Sequence, residues 1–152
     1  MKISGSHTLP VAREYAYQLL QDPEVLAQCM PGTDHLTKVG PEAYEMKMKM
    51  VISAVQGLFA GKVRIADRKP PEQFRLLVEG SGKVGFMKGE GLLTLVPTDS
   101  STEVCYEGDV QVGGVIAGVG QRLLDTTAKI VIRKFFEKLA EIGGQMSQPA
   151  KG

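Results

Sequence analysis

The sequence predicts a single α+β domain. Three observations lead there. Apolar residues follow period two between Gly32 and Gly114 but helical spacing on either side of that stretch. Turn-forming clusters punctuate the period-two region at short intervals. The chain has 152 residues, 43% of them hydrophobic, enough for one core and too few for two.

Lys2 to Leu9 alternates Ile3, Gly5, His7 and Leu9 against Ser4, Ser6 and Thr8, as a strand with one face turned inward does. Two short helices follow. Pro10 suits a helix start, and Val11, Ala12, Tyr15, Ala16, Leu19 and Leu20 repeat as an apolar stripe. At Asp22-Pro23-Glu24 the chain restarts as a helix: Asp22 caps it, Pro23 sits in the first turn, and Leu26, Cys29 and Met30 form its buried edge. Pro31-Gly32 ends it.

Antiparallel strands come next, separated by Gly40-Pro41, Gln56-Gly57, Lys69-Pro70-Pro71, Gly80-Ser81-Gly82 and Pro97-Thr98-Asp99-Ser100. One face of the strand from Ala43 to Val55 carries Tyr44, Met46, Met48, Met50, Ile52 and Ala54, and Glu45, Lys47, Lys49 and Ser53 lie mostly on the other. The later strands turn Phe59, Gly61, Val63 and Ile65 inward, then Phe74, Leu76 and Val78, then Met87, Leu93 and Leu95, then Val104, Tyr106, Val110 and Val112. Val115 to Ile142 repeats at helical spacing as one long amphipathic helix. Gly143 to Gly152 has no pattern and reads as a frayed tail, so the domain is expected over residues 1–143 and disorder over 144–152.

Composition removes several function classes. Lys and Arg total 18 against 17 Asp and Glu, so a net charge of +1 gives no field for drawing in nucleic acid. The longest apolar run, Val110 to Gly120, is far short of the roughly 20 residues that cross a bilayer. No secretory pattern is visible at Met1 to Ser6, which points to the cytoplasm. Cys29, Cys105, His7 and His35 are isolated from one another, so neither a disulfide framework nor a metal site is expected, and no cofactor is called for.

Gly80 to Gly85 matches GxGxxG in spacing, but Phe86 onward alternates as a strand where a nucleotide site needs a helix. A glycine-rich hairpin is the expectation. Met46, Met48 and Met50 suit either ordinary core or an adaptable pocket wall. Gly113, Gly114, Gly118 and Gly120 suit a tight corner before the last helix; an exposed Val115-Ile116 there would offer a membrane or partner contact. No nucleophile stands beside a base, so no catalytic residue is nominated.

The order of strand, two short helices, strands and long helix resembles the helix-grip fold of the START-like and polyketide cyclase (SRPBCC) superfamily. In that fold a curved antiparallel sheet of about seven strands wraps a long C-terminal helix and leaves a ligand cavity between them. Four stretches are more specific: Asp22-Pro23-Glu24-Val25-Leu26 through Gly32; Gly80 through Gly91; Tyr106-Glu107-Gly108-Asp109-Val110-Gln111-Val112-Gly113-Gly114; and Gly118 through Leu124 followed by Phe135-Phe136. Together they resemble the carbon monoxide dehydrogenase G-subunit family. The resemblance implies a non-catalytic accessory protein of a carbon monoxide dehydrogenase-like molybdenum hydroxylase system. It would bind a small hydrophobic molecule, a quinone or lipid, and touch the inner membrane face transiently.

Given that fold, the expected ligand-binding residues are Tyr44, Met46, Met48, Met50, Phe59, Val63, Phe74, Leu76, Leu93, Tyr106, Val110, Leu123 and Thr127. Tyr44 or Tyr106 would orient a polar group of the ligand. Two other classes stay open: an assembly or membrane-docking protein without ligand, and a cyclase or hydrolase.

Overall fold

The computed structural model describes residues 1–30, 32–52 and 55–147, without the side chains of residues 34–36, 50, 52 and 145–147. The elements run β1 (Lys2–Leu9), α1 (Arg13–Leu19), α2 (Pro23–Cys29), β2 (Thr33–Gly40), β3 (Ala43–Ile52), β4 (Val55–Lys69), β5 (Gln73–Gly82), β6 (Gly85–Thr98), β7 (Ser101–Gly113), a 3-10 turn (Val115–Val119) and α3 (Gln121–Ser147). The seven strands form one antiparallel sheet in the order β1-β7-β6-β5-β4-β3-β2. From β2 to β7 every pairing joins sequence neighbours; only β1 crosses over, and α1 and α2 carry the chain from one sheet edge to the other.

Local chemistry accounts for the helix starts. The Asp22 carboxylate accepts a hydrogen bond from Glu24 N–H at 3.0 Å, and Pro23 opens α2, as the sequence predicts. α1 starts at Arg13 behind Ala12, which is extended and lends no side-chain cap, so Pro10 lies outside the helix. The stripe on α1 is also shifted. Tyr17 is buried and Ala12 exposed, because Tyr17 lies edge-on to Phe74 at 5.5 Å and its hydroxyl reaches Gln73 C=O at 3.4 Å.

The main core joins Leu9, Val11, Leu19, Leu20, Ile65, Phe74, Leu95, Val104 and Leu139, sealing the end of the molecule that holds α1 and α2. Thr102 is the one polar side chain fully buried among the described residues, and its hydroxyl donates to Val11 C=O at 2.8 Å.

The last helix departs from its sequence reading at both ends. Gly114 at φ 84° and Gly120 at φ 99° occupy the left-handed region, so the chain from Val115 to Val119 winds as a separate 3-10 turn and α3 begins only at Gln121. At the other end α3 runs through Gly143 and Gly144 to Ser147 instead of fraying at Gly143. Gly143 is buried: a methyl there would press on Leu19 and Val11 at 3.2 and 3.3 Å, so its bare backbone lets α3 lie close on α1. The GxGxxG stretch is a hairpin, with Gly82 paired to Gly85 and a turn at Lys83-Val84.

Candidate functional site: a glycine-floored inner face

Strand pairing places the inward residues in rows that no single strand reveals. One row runs Met46, Gly61, Gly80, Met87, Val112 across β3 to β7. The next runs Tyr44, Val63, Val78, Gly89, Val110. A third runs Ile65, Leu76, Gly91, Gly108 and reaches Ile3 on β1. Five glycines thus meet in the middle of the inner face, where other rows carry large apolar side chains.

These glycines do two different jobs. A Cβ on Gly61 would strike Glu79 C=O, and one on Gly108 would strike Glu90 C=O, so these two positions let neighbouring backbones close in as the sheet bends. At Gly80 and Gly91 the nearest atoms would lie at 3.7 and 3.5 Å, ordinary contact, so glycine there leaves open floor. Around this floor Leu76, Val78, Met87, Val110 and Val112 on the sheet, and Leu123 and Thr127 on α3, are only half-buried.

The buried side chains divide accordingly into three clusters. Besides the main core, Met46, Met48 and Val63 pack with Met30, Leu76 and Val78, and Phe59, Ile116 and Leu124 pack with Val84, Val112, Val119 and Leu123. The residues nominated from sequence are distributed over all three. Phe74, Phe59 and Val63 are almost without accessible surface and lie within the packed clusters, as do Leu93, Tyr44, Met46 and Met48 with slightly more. Leu76, Tyr106, Val110, Leu123 and Thr127 are the nominated residues that keep partial exposure. Met50's side chain falls outside the described residues. Val78, Met87 and Gly61 are legible in the sequence as inward-facing but not as wall and floor, because that requires the register.

One wall is aromatic. His7 on β1 stacks on Phe136 of α3 at 4.5 Å between ring centroids, and Tyr106 stacks on the same ring at 5.9 Å. Burial lowers the pKa of His7, opposed by the charge of Glu137, and raises that of Tyr106. The Tyr106 hydroxyl lies over Gly5, where a Cβ would come within 2.6 Å of it. Among the described residues no side chain or backbone group hydrogen-bonds to this hydroxyl.

On the inner side a concavity of about 290 Å³ opens past the start of β1, bounded by Met1, Val110, Val112, Ala117, Gln121 and Leu124. The larger grooves, about 720 and 390 Å³, lie on the outer face instead. Their shared wall is Lys62, Glu79 and Lys88, which continue the cross-strand row from Glu45 in the larger groove, and along this row opposite charges alternate and largely cancel. Among the described residues no cluster of His, Cys, Asp or Glu could hold a metal ion, and no helix is long and apolar enough to cross a membrane.

The model of the family described as the G subunit of carbon monoxide dehydrogenase (CoxG) matches residues 5–142. The chain belongs to the CoxG family. A crystal structure of a conserved protein from Geobacillus kaustophilus is similar to it at a TM-score of 0.91 and 34% identity, covering 95% of this chain and 96% of that one. A START superfamily protein from Mycobacterium smegmatis aligns at a TM-score of 0.76 and 15% identity, over 95% and 98% of the two chains, and carries the same fold. The di-domain ARO/CYC BexL from the BE-7585A biosynthetic pathway shares the fold at a TM-score of 0.66 and 13% identity, over 93% of this chain and 45% of that one. No curated protein matches the chain. The α+β helix-grip architecture expected from the sequence is therefore the fold of this CoxG domain.

Proposed function

We propose that this CoxG-family protein is a non-catalytic accessory of a carbon monoxide dehydrogenase-like molybdenum hydroxylase system, and that it carries a small hydrophobic molecule, a quinone or lipid, against its inner face. The carrying observation is the open glycine floor at Gly80 and Gly91, ringed by half-buried Leu76, Val78, Met87, Val110 and Val112. Apolar burial supplies most of the affinity, at roughly 25 cal/mol for each Å² removed from water. Tyr106, with its unengaged hydroxyl at the aromatic wall, orients one polar group of the cargo. The protein works in the cytoplasm and meets the membrane only in passing.

The polar groups on the inner face support a binding role. His7 and Tyr106 are held in a ring stack with Phe136, and the Glu137 carboxylate acts on His7 through its charge, with no hydrogen bond between them among the described residues. Organic extraction of protein purified from its native host, followed by mass spectrometry, tests the carrier reading. A stoichiometric quinone or lipid is the expected result; an empty extract that stays empty after incubation with native membranes refutes it.

A further inference from the structure

The net charge of +1 conceals a strong local asymmetry. Segments 46–61, 80–89 and 110–124 hold Lys47, Lys49, Lys83, Lys88 and Arg122 and no Asp or Glu, the acids Glu45, Glu79, Glu90, Asp109 and Asp125 standing just outside them. The fold brings these three segments to a single end of the molecule. Gly57 abuts Val84, Ile116 N–H donates to Val84 C=O at 2.8 Å, Phe86 pairs with Gly113, and Val55, Val84, Val112 and Val119 pack around Phe59, Ile116 and Leu124. This end lies opposite the main core.

The same end carries the three most exposed large apolar side chains of the described residues, together with Phe86, which Val39 near the β2–β3 turn equals. Leu58 is 72% exposed, Val115 62%, Val51 57% and Phe86 49%. Two sit on the β3–β4 hairpin, one follows the β5–β6 turn, and one opens the 3-10 turn, so they project from three adjacent tips. Lys88 has Glu79 as a cross-strand neighbour, but Lys49 lies beside Leu58 and Lys83 occupies the β5–β6 turn itself. Apolar tips ringed by lysines, with no carboxylate in the segments that form them, complement a surface that is negative at its boundary and apolar beneath.

We infer that the end formed by the β3–β4 hairpin, the β5–β6 turn and the 3-10 turn is a docking face for an anionic lipid bilayer, with Leu58, Phe86, Val51 and Val115 entering the interface and Lys49, Lys83 and Arg122 lying at the level of the lipid phosphates. The inference gives the passing membrane contact proposed above its residues and its lipid class, and it stands apart from the identity of any cargo. It places the inner-face opening beside Val112, Ala117 and Leu124 next to the membrane, where an apolar molecule would pass without crossing water.

Flotation of the full chain with vesicles tests it, one set of phosphatidylcholine alone and one with a substantial fraction of phosphatidylglycerol. The protein is expected to float with the anionic vesicles at low salt and to be released as salt rises. Each basic residue near such a surface strengthens binding about five-fold, so K49E/K83E is expected to lose more than twenty-fold. L58E/V115E is expected to abolish flotation, while V96E, an equally simple change at the exposed β6–β7 end, leaves it intact. Because all these positions are exposed, circular dichroism of each variant is expected to match the parent. Protein stripped of cargo by organic extraction and refolded is expected to float as the parent does, so an empty extract refutes the carrier reading without touching this one. No flotation on anionic vesicles, equal flotation on neutral ones, equal loss in V96E, or survival of flotation in L58E/V115E overturns the docking face.

Discussion

Gly61 and Gly80 face each other across β4 and β5, and the geometry gives them opposite responses to the same added methyl group. At Gly80 a Cβ would meet Ala60 C=O, Gly61 Cα and a Phe59 ring carbon at 3.7 to 3.8 Å, contact without collision. Gly80→Ala then acts mainly by restricting the unfolded chain, a gain of about 0.4 to 1 kcal/mol. In a protein of this size that is a rise in Tm of about 1 to 4 °C. At Gly61 the Cβ would strike Glu79 C=O, and the facing backbone has to move, at a cost of about 1 to 3 kcal/mol or more. Gly61→Ala is expected to lower Tm by about 2 to 12 °C. Paired thermal melts by circular dichroism read both signs without any ligand. If the two variants shift in the same direction, the distinction between open floor and bent backbone is wrong. A larger change at the open position, Gly80→Phe, is expected to keep the fold yet cut uptake of a hydrophobic cargo at least ten-fold, or about 1.4 kcal/mol. Undiminished cargo in the extract of Gly80→Phe would remove this face as the binding site.

Three further outcomes follow from the structure. His7 has its pKa lowered from 6.5 in the folded state by burial, so the unfolded chain binds its proton more readily. Its contribution to stability is complete above 6.5 and is lost as pH falls below it, so Tm should drop between pH 7 and pH 5 more steeply in the parent than in His7→Phe. Thr102→Val removes the hydroxyl that donates to Val11 C=O and leaves a buried acceptor unpaired, which is expected to cost about 1 to 3 kcal/mol in urea unfolding. Cys29 is buried, with its thiol pushed up to about 11, so Ellman's reagent at pH 8 should label it only as the protein unfolds; rapid labelling of the native state would contradict its burial.

The parts of this fold that sequence reveals are those set by neighbours along the chain. Period two exposes the faces of β3 to β7, and Asp22-Pro23 marks the start of α2, because alternation and capping act within a few residues. What depends on contacts between distant segments stays hidden. Gly143 looks like a helix stop until Leu19 and Val11 are seen pressing against it. Gly120 looks like one more residue of an amphipathic run until its positive φ divides that run in two. The inner face shows the same limit. Parity identifies Val78, Met87 and Gly61 as inward, yet only the register across β4 to β7 shows Gly61 beside Gly80 and Gly91 beside Gly108. Phe74, a wall residue by parity, is sealed by Tyr17, whose inward turn the α1 stripe does not reveal.

The chain order has a consequence for how the protein is made. Strands β2 to β7 pair strictly with their neighbours in sequence, so the meander can zip up hairpin by hairpin as it leaves the ribosome. α3, the last element, is what shields the inner side of that sheet. A nascent chain paused just before Gln121 would display Leu93, Val104 and Tyr106, which Phe136 and Leu139 of α3 later join in the core, on a nearly finished but uncovered sheet. Synthesis of the final helix is therefore the interval in which this protein is most exposed to aggregation and most in need of a chaperone.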